Sequence, residues 1–265
     1  MYSPLQLALR YTKYRFTAYN GRGHGMHSPF VYTLIRDVLN DRAKYPAYAQ
    51  VEQLRKQLLQ NNDLLPVTDF GAGSVTGSHP QRSIASIARH AAKPRKYGQL
   101  LYRLVQYFNP AQLLELGTSL GITSSYLALG HAEGQLHTIE GAPAIAAAAR
   151  RNFDQLGLKN IQLHTGQFEQ VLPSLLTQIQ RVDFAFLDGN HREEPTIDYF
   201  TKLLPFIHND TAVVLDDIHW SAGMERAWDH ISRHEMVTCS IDLFFIGLVF
   251  FRREFHEKAH FSIKY

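Results

Sequence analysis

The stretch Gln112-Leu113-Leu114-Glu115-Leu116-Gly117-Thr118-Ser119-Leu120-Gly121 restricts this chain more than any other. Residues 112–116 make an apolar run long enough for a short buried strand, with Glu115 near its end. Gly117 and Gly121 then punctuate a tight turn. Residues 122–129 open a helix with Thr118, Ser119 or Thr123 near its cap. Glycine has no side chain, so it permits positive φ and a close approach of backbone to ligand. Strand, glycine turn and helix N-terminus in that order present backbone N–H groups to the polar atoms of a ligand.

A second strand, 135–140, ends on the acid Glu140. In nucleotide-binding α/β folds an acid at this place, about 20 residues past the turn, accepts hydrogen bonds from ribose hydroxyls. The pyrophosphate fingerprint G-x-G-x-x-G is absent, because the turn reads Gly117-Thr118-Ser119-Leu120-Gly121. A ribose-bearing ligand without a pyrophosphate therefore fits better than a nicotinamide dinucleotide.

The remaining pattern alternates regularly. A helix over 100–108 precedes the first strand, and Asn109-Pro110 stops it. Strands over 161–164, 182–187 and 211–215 alternate with helices over 142–156, 171–179, 193–207 and 222–234. Two β-rich runs, 236–241 and 246–251, close the series. Such alternation predicts an α/β fold with a mostly parallel sheet. The continuous apolar run 182–187 suits its centre, covered on both faces.

The first hundred residues read differently. A basic, aromatic helix spans 3–18, with Leu5, Leu9, Tyr14 and Phe16 on a ragged apolar face. A glycine-rich loop over 21–30 could bring Arg22, His24 or His27 to a substrate, and Ser28-Pro29 starts a helix reaching about residue 39. Another helix spans 48–60. Asp69-Phe70-Gly71-Ala72-Gly73-Ser74 imitates a nucleotide loop, yet Pro66 interrupts the run before it and residues 75–80 cannot continue as a helix. We read it as an ordered loop. Residues 82–90 form a basic helix and 93–96 a basic linker.

Bulk properties exclude several classes. In 265 residues, 45% are hydrophobic and 19% charged, enough for one large domain and an appendage. A net charge of +3 does not mark a nucleic-acid binder. The single cysteine, Cys239, excludes an internal disulfide and a cysteine zinc site. No apolar run is long enough to span a membrane, and no signal peptide opens the chain. The expected location is cytoplasmic, with no membrane partner.

Open α/β sheets bind ligands beyond the carboxyl ends of their strands. Glu115, Glu140, Asp188 and Asp216 each close a predicted strand at that rim. Asp188, Asp216 and Asp217, with His191 and His219 nearby, make an oxygen-rich cluster with imidazoles available. Carboxylates and water suit Mg²⁺, whereas an added imidazole suits Mn²⁺, Fe²⁺ or Zn²⁺.

The motif Glu115-Leu116-Gly117-Thr118-Ser119-Leu120-Gly121 resembles the first motif of the class I S-adenosylmethionine-dependent methyltransferases, and Glu140 stands where that family holds the ribose. The resemblance covers roughly residues 100–251. It implies a Rossmann-like methyltransferase fold, with a mostly parallel seven-stranded sheet and a C-terminal antiparallel strand. Residues 1–97 would form a helical N-terminal lid and residues 98–265 the methyltransferase domain. S-adenosyl-L-methionine would meet Glu115, Gly117, Thr118, Ser119, Gly121, Glu140, Gly141, Gln167, Phe168 and Asp188, with Gln167 or Glu169 at the adenine amino group.

The rim is also similar to that of the catechol-type O-methyltransferases. By that resemblance Asp188, Asp216 and Asp217 would hold Mg²⁺ or another divalent cation, Asp217 replacing an asparagine. Asn190-His191-Arg192 stands where the family carries a lysine base. We therefore expect His191, with His219 as the alternative, to act as general base beside Asp188 on a hydroxyl of a small-molecule acceptor. The rival readings are a methyltransferase acting on nucleic acid or protein, a non-catalytic nucleoside-binding module, and a nicotinamide enzyme. Nucleic acid is disfavoured by the small basic clusters, and the aromatic N-terminus makes a homodimer the candidate assembly.

Overall fold

The computed structural model describes residues 1–19, 21–23, 27–67, 81–91 and 93–265. His24 of the glycine-rich loop and the imitation nucleotide loop at 69–80 lie outside them. From the amino terminus come α1 (Pro4–Thr17) and α2 (Pro29–Leu34), which runs into a π-helical turn (Ile35–Leu39). Then follow α3 (Pro46–Gln60), the short strands β1 (Leu64–Pro66) and β2 (Gln81–Ser83), α4 (Ile84–Ala91) and α5 (Arg95–Phe108). The expected alternation is next: β3 (Gln112–Leu116), α6 (Ile122–Gly130), β4 (Gln135–Glu140), α7 (Pro143–Gln155), β5 (Ile161–Thr165) and α8 (Phe168–Ile179). It continues with β6 (Phe184–Leu187), α9 (Glu193–Leu203), β7 (Ala212–Asp216) and α10 (Ala222–Ser232), and β8 (Cys239–Asp242), β9 (Ile246–Phe250) and β10 (Ala259–Ser262) close the chain.

The chain divides into two compact units, Met1–Asp41 with Arg181–Tyr265, and Arg42–Gln180. Within the first of these units, Tyr14 and Ala18 pack with Phe244. In the Arg42–Gln180 unit, β4 lies between β3 and β5, all parallel, with Glu115 opposite Thr138 and Glu140 opposite Thr165. Its core joins Tyr48, Val51 and Leu54 of α3 to Ile87 of α4, Tyr102 of α5, and Ile122 and Tyr126 of α6. In the other unit β6 and β7 are parallel, β9 runs antiparallel to both β7 and β8, and β10 extends the edge parallel to β8. The large, mostly parallel sheet with an antiparallel strand is the α/β class expected. No sequence signal announced β10.

Several boundaries moved for identifiable reasons. Pro66 does not end its run: Leu65 pairs with Arg82 and Pro66 with Gln81 in a two-stranded ribbon, a place where a missing donor is tolerated. The helix expected from residue 82 therefore starts at Ile84, after β2. Arg95 and Lys96 form the first turn of α5 rather than a linker, since Pro94 supplies a cap that needs no N–H of its own. Likewise α8 begins at Phe168, not at residue 171. Turns around residues 234–237 delay the strand expected from 236 until Cys239.

α1 opens on a capping box, in which the Ser3 side chain receives the Gln6 N–H and Gln6 returns the bond to the Ser3 N–H. Tyr14 is buried among Leu7, Tyr11, Ala18, Phe244 and Phe245. Leu5, Leu9 and Phe16 remain exposed, so only part of the apolar face is used. No helix among the described residues is long and apolar enough to cross a membrane.

The β4–β5 pair carries a pH-sensitive feature. His137, 4% exposed, stacks on His164 with centroids 5.6 Å apart and Nδ1 3.3 Å from its Nε2. Burial, aided by the field of His164, pushes the His137 pKa down to about 4. A folded-state value below the unfolded one makes the neutral ring stabilising. That stability is complete above about pH 6.5 and is lost as pH falls from there toward 4. Between pH 7.5 and pH 5 the wild type should lose about 2 kcal/mol more unfolding free energy than His137→Leu. Parallel urea melts of the two proteins at both pH values check this; equal losses would refute it.

Candidate active site

The Arg42–Gln180 unit carries most of the expected cofactor residues at the carboxyl ends of β3, β4 and β5. Gly117, Ser119 and Gly121 all have positive φ, at 100°, 48° and 78°. The turn closes through the Gly121 N–H on the Thr118 carbonyl at 2.9 Å, and the Gly117 and Thr118 N–H groups both reach the Ile139 carbonyl. These two donors, expected to face a ligand, are thus spent on β4. Asn152 of α7 donates to the Leu120 carbonyl at 2.8 Å, while Phe153 packs where a Cβ on Gly121 would stand.

Glu115 and Glu140 have different surroundings although both stand at or next to the end of a strand. Glu115 is fully buried, and its Oε2 accepts from Thr138 Oγ1 at 2.6 Å and from Ser124 Oγ. Thr118 Oγ1 joins through Thr138 at 2.6 Å. Glu115 therefore braces the turn from inside. The Glu140 carboxylate is half-buried at the rim, with Oε2 on the Ser119 N–H at 2.8 Å and Oε1 on the Ala142 N–H at 2.9 Å. Burial raises its pKa above the ordinary value, against the pull of the Ala142, Ser119 and Gly141 N–H groups. A carboxylate has lone pairs beyond those used here, so it can still accept from hydroxyls. Gly166 donates to the Glu140 carbonyl at 2.9 Å, bringing Gln167, the cap of α8, and half-buried Phe168 to the same end of the sheet as Gly141. Glu169 is exposed in the first turn of α8.

The unit containing Arg181–Tyr265 carries the acids after β6 and β7. Beyond β6, Asn190 and His191 both take left-handed backbone, φ 68° and 42°, with the His191 N–H on the Gly189 carbonyl at 2.9 Å. The turn is anchored by the Asn190 Nδ2 donating to Tyr199 Oη at 3.2 Å. It returns the imidazole to the strand end, with Nε2 3.4 Å from Asp188 Oδ1. Asp188, His191 and buried Asp216 each offer one donor atom within 4.8 Å of the others. Burial alone would lower the His191 pKa, but the bond to Asp188 and the fields of Asp188, Asp216 and Asp217 raise it above the usual imidazole value.

Asp217 and His219 do not belong to that group. Asp217, at φ 51°, sends its N–H to the Phe245 carbonyl at 2.7 Å. His219 has Nδ1 3.2 Å from Glu225 Oε1 and Nε2 2.8 Å from Asp242 Oδ2, and its ring stacks on Phe244. Burial opposes its charge, yet the two carboxylates raise its pKa. With both nitrogens committed to acceptors it is a donor, which argues against the alternative base. Tyr2 Oη and Arg10 Nε donate to Glu225 at 2.6 and 3.0 Å, so α1 is clasped to α10. Sequence reasoning missed Thr138, Ser124, Asn152, Glu225 and Asp242. Only Asn152 left a signal, an amide on the apolar face of an alanine-rich helix.

A glycine turn leading into α6 and a rim acid on β4 stand in one unit, and an acid–imidazole group after β6 and β7 in the other, each within an α/β framework. Residues 114–218 match the family described as methyltransferase domain. The catechol O-methyltransferase of Niastella koreensis is 29% identical over 160 residues, which cover 59% of this chain and 70% of that protein. The crystal structure of a Podospora anserina methyltransferase bound to SAH aligns with a TM-score of 0.59 at 12% identity, over 95% of this chain and 98% of that one. An O-methyltransferase from Bacillus cereus in complex with SAH aligns with a TM-score of 0.54 at 21% identity, over 83% and 97%. These two likenesses are of fold. Over residues 114–218 the chain is thus similar to methyltransferase domains, and its fold is that of the methyltransferases named.

Proposed function

We propose that this enzyme transfers the methyl group of S-adenosyl-L-methionine to an oxygen of a small-molecule acceptor. Glu140 carries the cofactor reading: two backbone N–H groups fix its carboxylate at the rim, where it can receive the ribose hydroxyls. Gly117–Gly121 would contact the amino-acid portion and Gln167 with Phe168 the adenine. In the reaction the sulfonium C–S bond breaks as the O–CH₃ bond forms, S-adenosylhomocysteine leaves, and the acceptor's proton passes to His191. Asp188 orients that imidazole. A divalent cation would be held by the carboxylates of Asp188 and Asp216 and would polarise the acceptor oxygen. The reading extends to a cytoplasmic location, to a domain running from about residue 98, and to a homodimer. No nucleic-acid or membrane partner is invoked.

Calorimetric titration with S-adenosylhomocysteine, in Mg²⁺ and again in EDTA, tests the cofactor assignment. We expect micromolar binding, weakened about 10- to 30-fold in Glu140→Ala through loss of charge-assisted hydrogen bonds. Absence of binding in both buffers would overturn the assignment of S-adenosylmethionine. Unchanged affinity in the variant would remove Glu140 from the site.

A further inference from the structure

A cavity lies within the unit of Met1–Asp41 and Arg181–Tyr265, along one side of α1. Its volume is about 510 Å³, within the roughly 300–1,000 Å³ usual for small-ligand sites. Leu9, Tyr14 and Phe244 supply apolar wall, and Arg10, Lys13, Glu225 and Asp242 supply charge. Tyr14 is held in place by its hydroxyl, which donates to the Ile263 carbonyl, and by its ring, 5.3 Å from that of Phe244.

The charges are not equivalent. Glu225 accepts from Tyr2, Arg10 and His219. Asp242 accepts from His219 and, at 2.7 Å, from the Phe244 N–H. Both carboxylates are thus well supplied with donors. Lys13 forms no ion pair among the described residues, and α1 contains no acid that could provide one. A cation without a counter-charge, beside a half-apolar cavity whose acids are already satisfied, favours a ligand with an anionic head and an apolar body. Lysine serves such a head as a compact point charge.

We propose that this cavity binds a small amphipathic anion, a carboxylate or phosphate monoester, with its charge at Lys13 and its apolar body against Tyr14 and Phe244. The proposal goes beyond methyl transfer and does not depend on it. Calorimetric titrations with benzoate, phenyl phosphate and uncharged benzyl alcohol test it at low salt, with S-adenosylhomocysteine titrated alongside. At least one anion should bind tenfold or more tighter than benzyl alcohol, and whichever anion binds tighter identifies the head group. Lys13→Gln should abolish that advantage while leaving the S-adenosylhomocysteine titration unaltered, and Leu9→Trp should weaken all the cavity probes by narrowing the mouth. Equal affinities for charged and uncharged probes, no binding of any, or an advantage that survives Lys13→Gln would overturn the site. None of those results bears on cofactor binding, so the two readings fail separately.

Discussion

Replacing His191 with alanine should lower kcat by about 100-fold or more and change S-adenosylhomocysteine affinity by less than twofold. The acceptor hydroxyl must lose its proton as the new C–O bond forms, and among the described residues His191, unlike His219, does not have both nitrogens on carboxylates. Its Nε2 faces Asp188, which fixes the ring and, with Asp216 and Asp217, outweighs the effect of burial on its proton affinity. Two successive non-glycine residues in left-handed backbone, Asn190 and His191, hold it there. Each such residue costs on the order of 1–3 kcal/mol, a strain that persists where the surroundings enforce it. Partial recovery of the alanine variant by added imidazole would separate lost proton transfer from lost structure. Activity within twofold of wild type would end the assignment.

Gly121→Ala should destabilise the protein by about 3 kcal/mol, from two separate sources. The first is backbone: at φ 78° a Cβ costs roughly 1–2 kcal/mol. The second is packing, because that Cβ would stand 2.4 Å from Phe153 Cε1. Phe153 is itself buried, so it cannot simply rotate away, and overpacking of this kind costs about 1–3 kcal/mol. Chemical unfolding of Gly121→Ala, alone and with Phe153→Leu, tells the two apart. In the leucine background only the backbone part should remain. A loss below about 0.5 kcal/mol in the native background would show that the turn relaxes freely. The change should also weaken S-adenosylhomocysteine binding, since Ser119 and Glu140 are held through the same turn.

Much of this was visible in the chain itself. The β3 strand, its glycine turn and α6, and the acids ending β4 and β7, follow from local pattern: an apolar run, two glycines, a polar residue where the run stops. Strand and helix alternation makes the parallel sheet because period and length are properties of contiguous residues. The same reasoning grouped Glu115 with Glu140 and Asp217 with Asp216, and there it stopped being informative. Pairing of β3 with β4 places Glu115 opposite Thr138 and turns its carboxylate inward, where Ser124 and Thr138 both donate to Oε2.

The histidines make the same point. His191 and His219 are equivalent in sequence, each a few residues past a strand-ending acid. Tertiary structure leaves one beside Asp188 and commits both nitrogens of the other to Glu225 and Asp242, residues contributed by α10 and β8. β10 and the clasp of α1 also depend on partners far away in the chain: Tyr2 with Glu225, Tyr19 with Ile263. By itself the sequence determined most of the strands, turns and helices between residues 100 and 251, and which acids stand near the rim, because those depend on neighbours along the chain. Which side chains meet was decided only by tertiary structure, since a carboxylate or imidazole takes its direction, its partners and its proton affinity from groups that folding brings to it.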